Sequence, residues 1–332
     1  MSNLLVWAVR GLLALCLQLC YPVARFQKEE SVRRDPAYAV YETYRYAYER
    51  YGYLFSYAEE TGGEGMVAAG NPSWQGEDGN AGAADREQES TGADGLKTEQ
   101  TGAGSALSAS SLARLQDYDY LIKQYFSVHA STTADRSLMK VEKLLGTDVR
   151  LTKNPDVPQI LIYHTHASET YADYGPQNPD ASVAGAGSYL AELLRQRGWN
   201  VIHDTTAYDR KEGKLERSRA YTYALEGVQG ILQEHPTIEV ILDLHRDGVS
   251  DSLRLVQEIQ GKPTAKIMFF QGMSRTPEGE IAYLPNPYLQ ENLAFCFQMQ
   301  LACGRYPGFT RKIYLKGLRY NLHLRGRSSL IE

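Results

Sequence analysis

The chain is 332 residues long, enough for one sizeable core plus additional segments. Its formal net charge of −5 argues against nucleic acid as a partner, because such binders carry a basic face. Four cysteines, Cys16, Cys20, Cys296 and Cys303, make no zinc-finger spacing and read as apolar filler, so a metal site here must be built from histidine and carboxylate.

In chain order, residues 4–23 are apolar apart from Arg10 and Gln18, about the length that crosses a bilayer. Two readings fit: a signal peptide with its core at 11–24, or an uncleaved signal anchor with a costly internal arginine. No cleavage-site pattern stands near Ala24, which favours an anchor over 1–25; either reading exports the remainder. Residues 26–58 are Tyr-rich. Tyr41, Tyr44, Tyr48 and Tyr51 recur at helical spacing, and packing on the chain itself is favoured over a membrane or partner stripe. Residues 59–111, rich in Gly, Ala, Ser, Thr and Glu, bury too little apolar surface to repay ordering and read as a disordered linker.

Order resumes with a helical lead-in over 112–157, where "DYDYLIKQYF" and "SLMKVEKLLG" each predict a short helix. From 158 to 332 strands and helices alternate. Strands are predicted over 159–163, 200–203, 239–244, 253–259, 266–270, 311–315 and 329–331, and helices over 188–197, 215–234 and 288–303. This alternation predicts an α/β catalytic domain with a mostly parallel sheet flanked by helices.

The chemistry gathers where two apolar strands stop. "ILIYHTHASE" runs from an inner strand into His164, His166 and Glu169, and "VILDLHRD" ends in His245, Arg246 and Asp247. Ligands of open α/β sheets collect at such carboxyl ends. Catalytic zinc takes three ligands from His and Asp/Glu and keeps one position open, a count that His166, His245 and Glu169 satisfy. Continued strand geometry would lean His164 to the same face as His166, as a second ligand or a support. A general base is also required, and Glu332 ends the third such strand, "RSSLIE". His203 closes "NVIH" and reads as structural, with a supporting role open to it; His129 and His235 read as surface residues.

The segments "PQILIYHTHASETY", "IEVILDLHRDGV", "GKPTAKIMFFQGMSR", "LPNPYLQENLAFCFQMQL" and "YPGFTRKIYLKGLRYNLHLRGRSSLIE" together resemble the stage II sporulation protein P family of endospore-forming bacteria, over about 117–332. The resemblance implies a fold similar to the zinc-dependent N-acetylmuramoyl-L-alanine amidases, with Zn2+ as cofactor. It implies peptidoglycan as substrate, cut at the muramoyl-L-alanine amide and at stem-peptide cross-links during engulfment. It also implies membrane attachment through the N-terminus, a catalytic domain outside the cytoplasm in the septal intermembrane space, and stage II sporulation protein D and M homologues as partners. Matched to the amidase pattern "IVIDPGH", the first zinc histidine falls on His166, the second on His245 and the catalytic glutamate on Glu332. Glu169 fits H-T-H-x-x-E as the carboxylate ligand; the amidase fold takes its glutamate further along, where this chain offers Asp180. Family chains continue past the final strand into a turn and helix, so the resemblance implies a shortened end after Glu332.

The residues around the expected ligands are then read for roles of their own. Glu332 serves as base and then acid. Arg246 and Arg319 steady a developing oxyanion or substrate carboxylates, with structural ion pairs as the alternative, and Asp247 is a supporting candidate. Two rival functions stay open: an inactive wall-binding scaffold and a zinc deacetylase of wall sugars.

Overall fold

A computed structural model of the protein describes residues 109–171, 179–250 and 253–332. The expected anchor, Tyr-rich segment and most of the linker lie outside the described residues; among the described ones, no helix is long and apolar enough to cross a membrane.

Three short helices come first: α1 (Ala109–Leu115), α2 (Tyr118–Tyr125) and α3 (Val141–Gly146). Asp117 caps α2 by accepting the Tyr120 N–H, and the helix gives way at Phe126 to an unanticipated strand, β1 (Phe126–Val128). The predicted alternation then unfolds as β2 (Ile160–Tyr163), α4 (Val183–Arg195) and β3 (Val201–His203). A small hairpin, β4 (Arg210–Lys211) with β5 (Lys214–Leu215), precedes α5 (Ala220–Glu234) and β6 (Val240–Leu244). Another hairpin, β7 (Val256–Ile259) with β8 (Lys262–Ala265), leads to β9 (Phe269–Gly272) and a third, β10 (Arg275–Thr276) with β11 (Gly279–Glu280). Helix α6 (Leu289–Cys303), β12 (Ile313–Lys316) and β13 (Ser328–Ile331) complete the order.

Seven strands form one sheet in the order β1-β12-β9-β13-β6-β2-β3. Every junction is parallel except β13 with β9, so the sheet is mixed and mostly parallel. Three expectations need correction. The lead-in is not purely helical, because β1 pairs with β12 at the sheet edge. The strand expected over 253–259 belongs to a separate hairpin with β8 instead of to the main sheet. The helix expected from 215 starts at Ala220, because Lys214 and Leu215 pair with β4.

Alternation along β2 splits the core. Ile160 and Ile162 join one apolar cluster with α4, α6 and the early helices, while Leu161 and Tyr163 join another with Ala224, Leu225, Val228 and Leu232 of α5. Ser182 caps α4 by accepting the Gly185 N–H at 3.1 Å, and Gly198, at φ 81°, turns the chain out of the helix. Helix α6 is buried through its middle, where the apolar run 293–297 and the hydrogen-bonded Asn292 face the core. Its Cys296 and Cys303 are buried outside any disulfide; burial pushes the Cys296 thiol up to about 12, and its sulfur accepts from Gln271 Nε2 and donates to Ser329 Oγ, which leaves it a structural group.

Asn292 of α6 ties the last strand in place. Fully buried, it donates to the Leu322 carbonyl at 2.5 Å and accepts the Ser328 N–H at 2.9 Å. Asn292→Ala leaves both backbone groups unpaired and is expected to cost about 2–4 kcal/mol in urea unfolding. An unchanged midpoint would show that β13 is held by other means.

Candidate metal centre

Strands β13, β6 and β2 are neighbours and run parallel, so their carboxyl ends open on one sheet edge. Register places Tyr163 opposite Asp243 and Ile331 opposite Leu244. Residues 164–169, 245–247 and 332 therefore leave the sheet side by side. The chain passes from β2 out to β3 and then back past β2 to β6, with α4 and α5 on opposite faces, so strand order reverses between β2 and β6, and such a switch point is where open α/β sheets leave room for ligands.

After Tyr163 the chain turns, with the Glu169 N–H bonded to the His166 carbonyl at 3.1 Å. The turn brings His166, Glu169 and His245 together, each offering one ligand atom within 4.8 Å of the others. Glu169 stands between the imidazoles: Oε1 lies 3.7 Å from His166 Nδ1 and Oε2 lies 3.7 Å from His245 Nδ1. The rings sit 5.1 Å apart at 83°. The Arg246 N–H donates to Glu169 Oε2 at 2.9 Å, and Arg217 Nη2 donates to Oε1 at 2.7 Å. Burial works against charge on Glu169, but His166, His245 and the Arg246 N–H outweigh it and hold the carboxyl down at about 2. Burial likewise opposes charge on His245, yet Asp243, Glu169 and Glu332 raise it to about 9. A buried nitrogen without a hydrogen-bond partner, His166 Nε2, adjoins this cluster. Two imidazoles, an ionised carboxylate and an orphaned buried nitrogen fit a divalent-metal site of the His/His/carboxylate kind.

The other expected residues take separate places. His164 does not join His166, because the turn breaks strand geometry and the two imidazoles diverge. His164 is fully buried with Nδ1 2.8 Å from the Leu244 carbonyl and Nε2 2.9 Å from His203 Nε2. A carbonyl only accepts, so Nδ1 carries the hydrogen and Nε2 accepts from His203. Gly187 makes the pair possible, since a Cβ there would stand 2.6 Å from His164 Nε2 and 2.7 Å from His203 Nε2. Asp180 is exposed in a 3₁₀ turn, Pro179–Ala181, and lies outside the ligand group; the carboxylate beside the histidines is Glu169. Arg246 meets the cluster through its backbone N–H, while its guanidinium donates to the Asp247 carbonyl at 3.1 Å. Asp247 pairs with Arg311. Arg319 is 3% exposed, and its charge acts on His323. Glu332 is fixed by reciprocal backbone bonds to Met268, at 3.0 and 2.7 Å. Burial and the Asp247 charge push its carboxyl up to about 7, against the pull of His245.

Three neighbours of the site went unread in the sequence. Asp243 contacts His245 Nε2 at 2.9 Å, without the alignment of a hydrogen bond. Tyr221 lies edge-on to His166 at 5.6 Å and parallel to His245 at 6.5 Å. Arg217 is the third, through its bond to Glu169. For Asp243 a signal existed: it precedes His245 by two on one strand. For Tyr221 and Arg217 none did.

The family model of Stage II sporulation protein P (SpoIIP) matches residues 71–332, most of the chain, and the chain belongs to this family. The match begins inside the stretch read as linker, at 71 instead of about 117. No curated protein and no solved structure matches the chain.

The His164–His203 pair generates a pH prediction. Burial, aided by the charges of His164 and Arg195, holds His203 down at about 4, below its ordinary 6.5. The native pair stays neutral while the unfolded chain takes up protons below about pH 6.5. The resulting stability is full above that value and drains away as the pH falls towards about 4. Melting temperature should therefore drop more steeply over this window in the wild type than in His203→Gln. Parallel profiles would contradict the assignment.

Proposed function

We propose that this member of the SpoIIP family is a zinc-dependent peptidoglycan hydrolase that cuts the amide between N-acetylmuramic acid and the stem L-alanine, together with stem-peptide cross-links, during sporulation engulfment. Family membership carries the sporulation-related role. The single observation that carries the chemistry is the convergence of His166, Glu169 and His245 at the carboxyl ends of adjacent strands.

These three residues would hold the ion. Bound zinc supplies Lewis-acid chemistry, polarising an amide carbonyl and acidifying water. Glu332, at the end of the neighbouring strand and with a carboxyl near neutrality, is placed to accept a proton and return it to the leaving amine. Arg217 brings a half-exposed guanidinium to Glu169 and can pair with a substrate carboxylate or a developing oxyanion. The Arg246 N–H keeps Glu169 aimed at both imidazoles. An N-terminal anchor and linker would let this domain reach wall in the intermembrane space, in company with stage II sporulation protein D and M homologues; the apolar run at 4–23 and the Gly/Ser-rich segment after residue 59 support that placement.

Digestion of purified peptidoglycan, read by mass spectrometry, tests the reading. Stem peptides with a free L-alanine N-terminus are expected. Wall binding without release would favour a scaffold, and acetate without stems a deacetylase. Glu332→Gln should lower turnover by about 10²–10⁴-fold with zinc content unchanged. His166→Ala and His245→Ala should each lose the metal; wild-type zinc in both would refute the ligand assignment.

A further inference from the structure

His245 faces a different carboxylate at each ring nitrogen. Nδ1 faces Glu169 Oε2 at 3.7 Å, and Nε2 faces Asp243 Oδ1 at 2.9 Å. A neutral imidazole has one N–H and one lone pair, and the partner of one nitrogen decides which nitrogen remains a donor of electrons. Ionised aspartate only accepts. Once the ring is neutral, as a metal ligand must be, Asp243 therefore favours the hydrogen on Nε2 and leaves the Nδ1 lone pair on the Glu169 side.

Asp243 has little freedom to do otherwise. It is fully buried in β6, and Thr165 binds both of its oxygens: the Thr165 N–H donates to Oδ1 at 2.9 Å and the Thr165 hydroxyl to Oδ2 at 2.6 Å. Thr165 stands between His164 and His166, so the same clamp fastens the turn that carries His166 to the strand that carries His245. His164 adds a second tie across this seam through the Leu244 carbonyl.

We propose that Asp243, held by Thr165, is the positioning residue of the metal centre: it fixes the His245 tautomer with Nδ1 presented to the ion and locks the spacing between the His166 turn and β6. This inference rests on reading His166, Glu169 and His245 as the zinc site. It gives each residue of the H-T-H motif a separate duty, with His164 tying strand to strand, Thr165 orienting Asp243, and His166 facing the ion.

The test measures zinc stoichiometry and affinity by chelator competition on the full chain, with thermal melting alongside, for the wild type, Asp243→Asn, Thr165→Val and Thr165→Ser. Asp243→Asn preserves shape but can offer an N–H to Nε2 and so favours the wrong tautomer; affinity should fall about 10- to 100-fold. Thr165→Val should lose roughly three- to tenfold, and Thr165→Ser, which keeps the hydroxyl, should match the wild type. In ¹⁵N-histidine spectra of the zinc-loaded chain, the wild type should keep the His245 hydrogen on Nε2. A wild type that binds zinc while Asp243→Asn binds it equally well overturns this inference alone. A wild type that binds none overturns the zinc reading and this inference with it. Should Asp243→Asn fail to fold, the threonine pair decides: equal affinities in Thr165→Val and Thr165→Ser would refute the clamp.

Discussion

Backbone pairing on both sides of β6 fixes what the site can be. With β2 bonded in parallel along one edge and β13 along the other, the three strands end together, and the residues just beyond them share one space. No side chain needs to reach far. A one-residue slip of β2 against β6 would exchange the two faces, carrying Ile160 and Ile162 to the α5 side and misplacing the turn that holds His166. The two apolar clusters therefore position the site as well as stabilising the fold, because each demands one set of alternate side chains.

The electrostatics of the edge arise from that geometry. Glu169, Asp243, Asp247 and Glu332 collect at adjoining strand ends, and Glu169 and Asp243 are almost wholly removed from water. Buried negative charge persists only with compensation. Arg217 and the Arg246 N–H serve Glu169, Thr165 serves Asp243, and Arg311 serves Asp247. His245 lies among several of these carboxylates at once. A surplus of anionic oxygen around two imidazoles is the environment in which a divalent cation repays its own desolvation.

Much of this was legible in the sequence because the strands are short apolar runs that stop abruptly at polar residues. "ILIY" and "VILDL" declare buried strands, and the polar residues beyond their ends had to emerge at an edge. Glu169 was legible too, since a turn returns the third residue after His166 to its side. The reading failed where tertiary contacts decided the outcome. His164 shares the strand spacing of His166 but is drawn away by the Leu244 carbonyl, His203 and the space above Gly187. The three-residue β1 gains its identity only from β12, nearly two hundred residues later. Arg217 meets Glu169 across 48 positions, with no local pattern to announce it. Asp243 was in plain view but counted as part of an apolar strand, although a buried carboxylate two residues before a candidate ligand is a signal in itself.

The central claim is that one divalent ion joins His166, Glu169 and His245. Anomalous diffraction at the zinc absorption edge, from crystals of the zinc-loaded protein, tests it most directly. The account predicts an anomalous peak at the carboxyl ends of β2 and β6, within coordinating distance of all three side chains. A peak elsewhere, or full zinc occupancy with these three residues left uncoordinated, would contradict it.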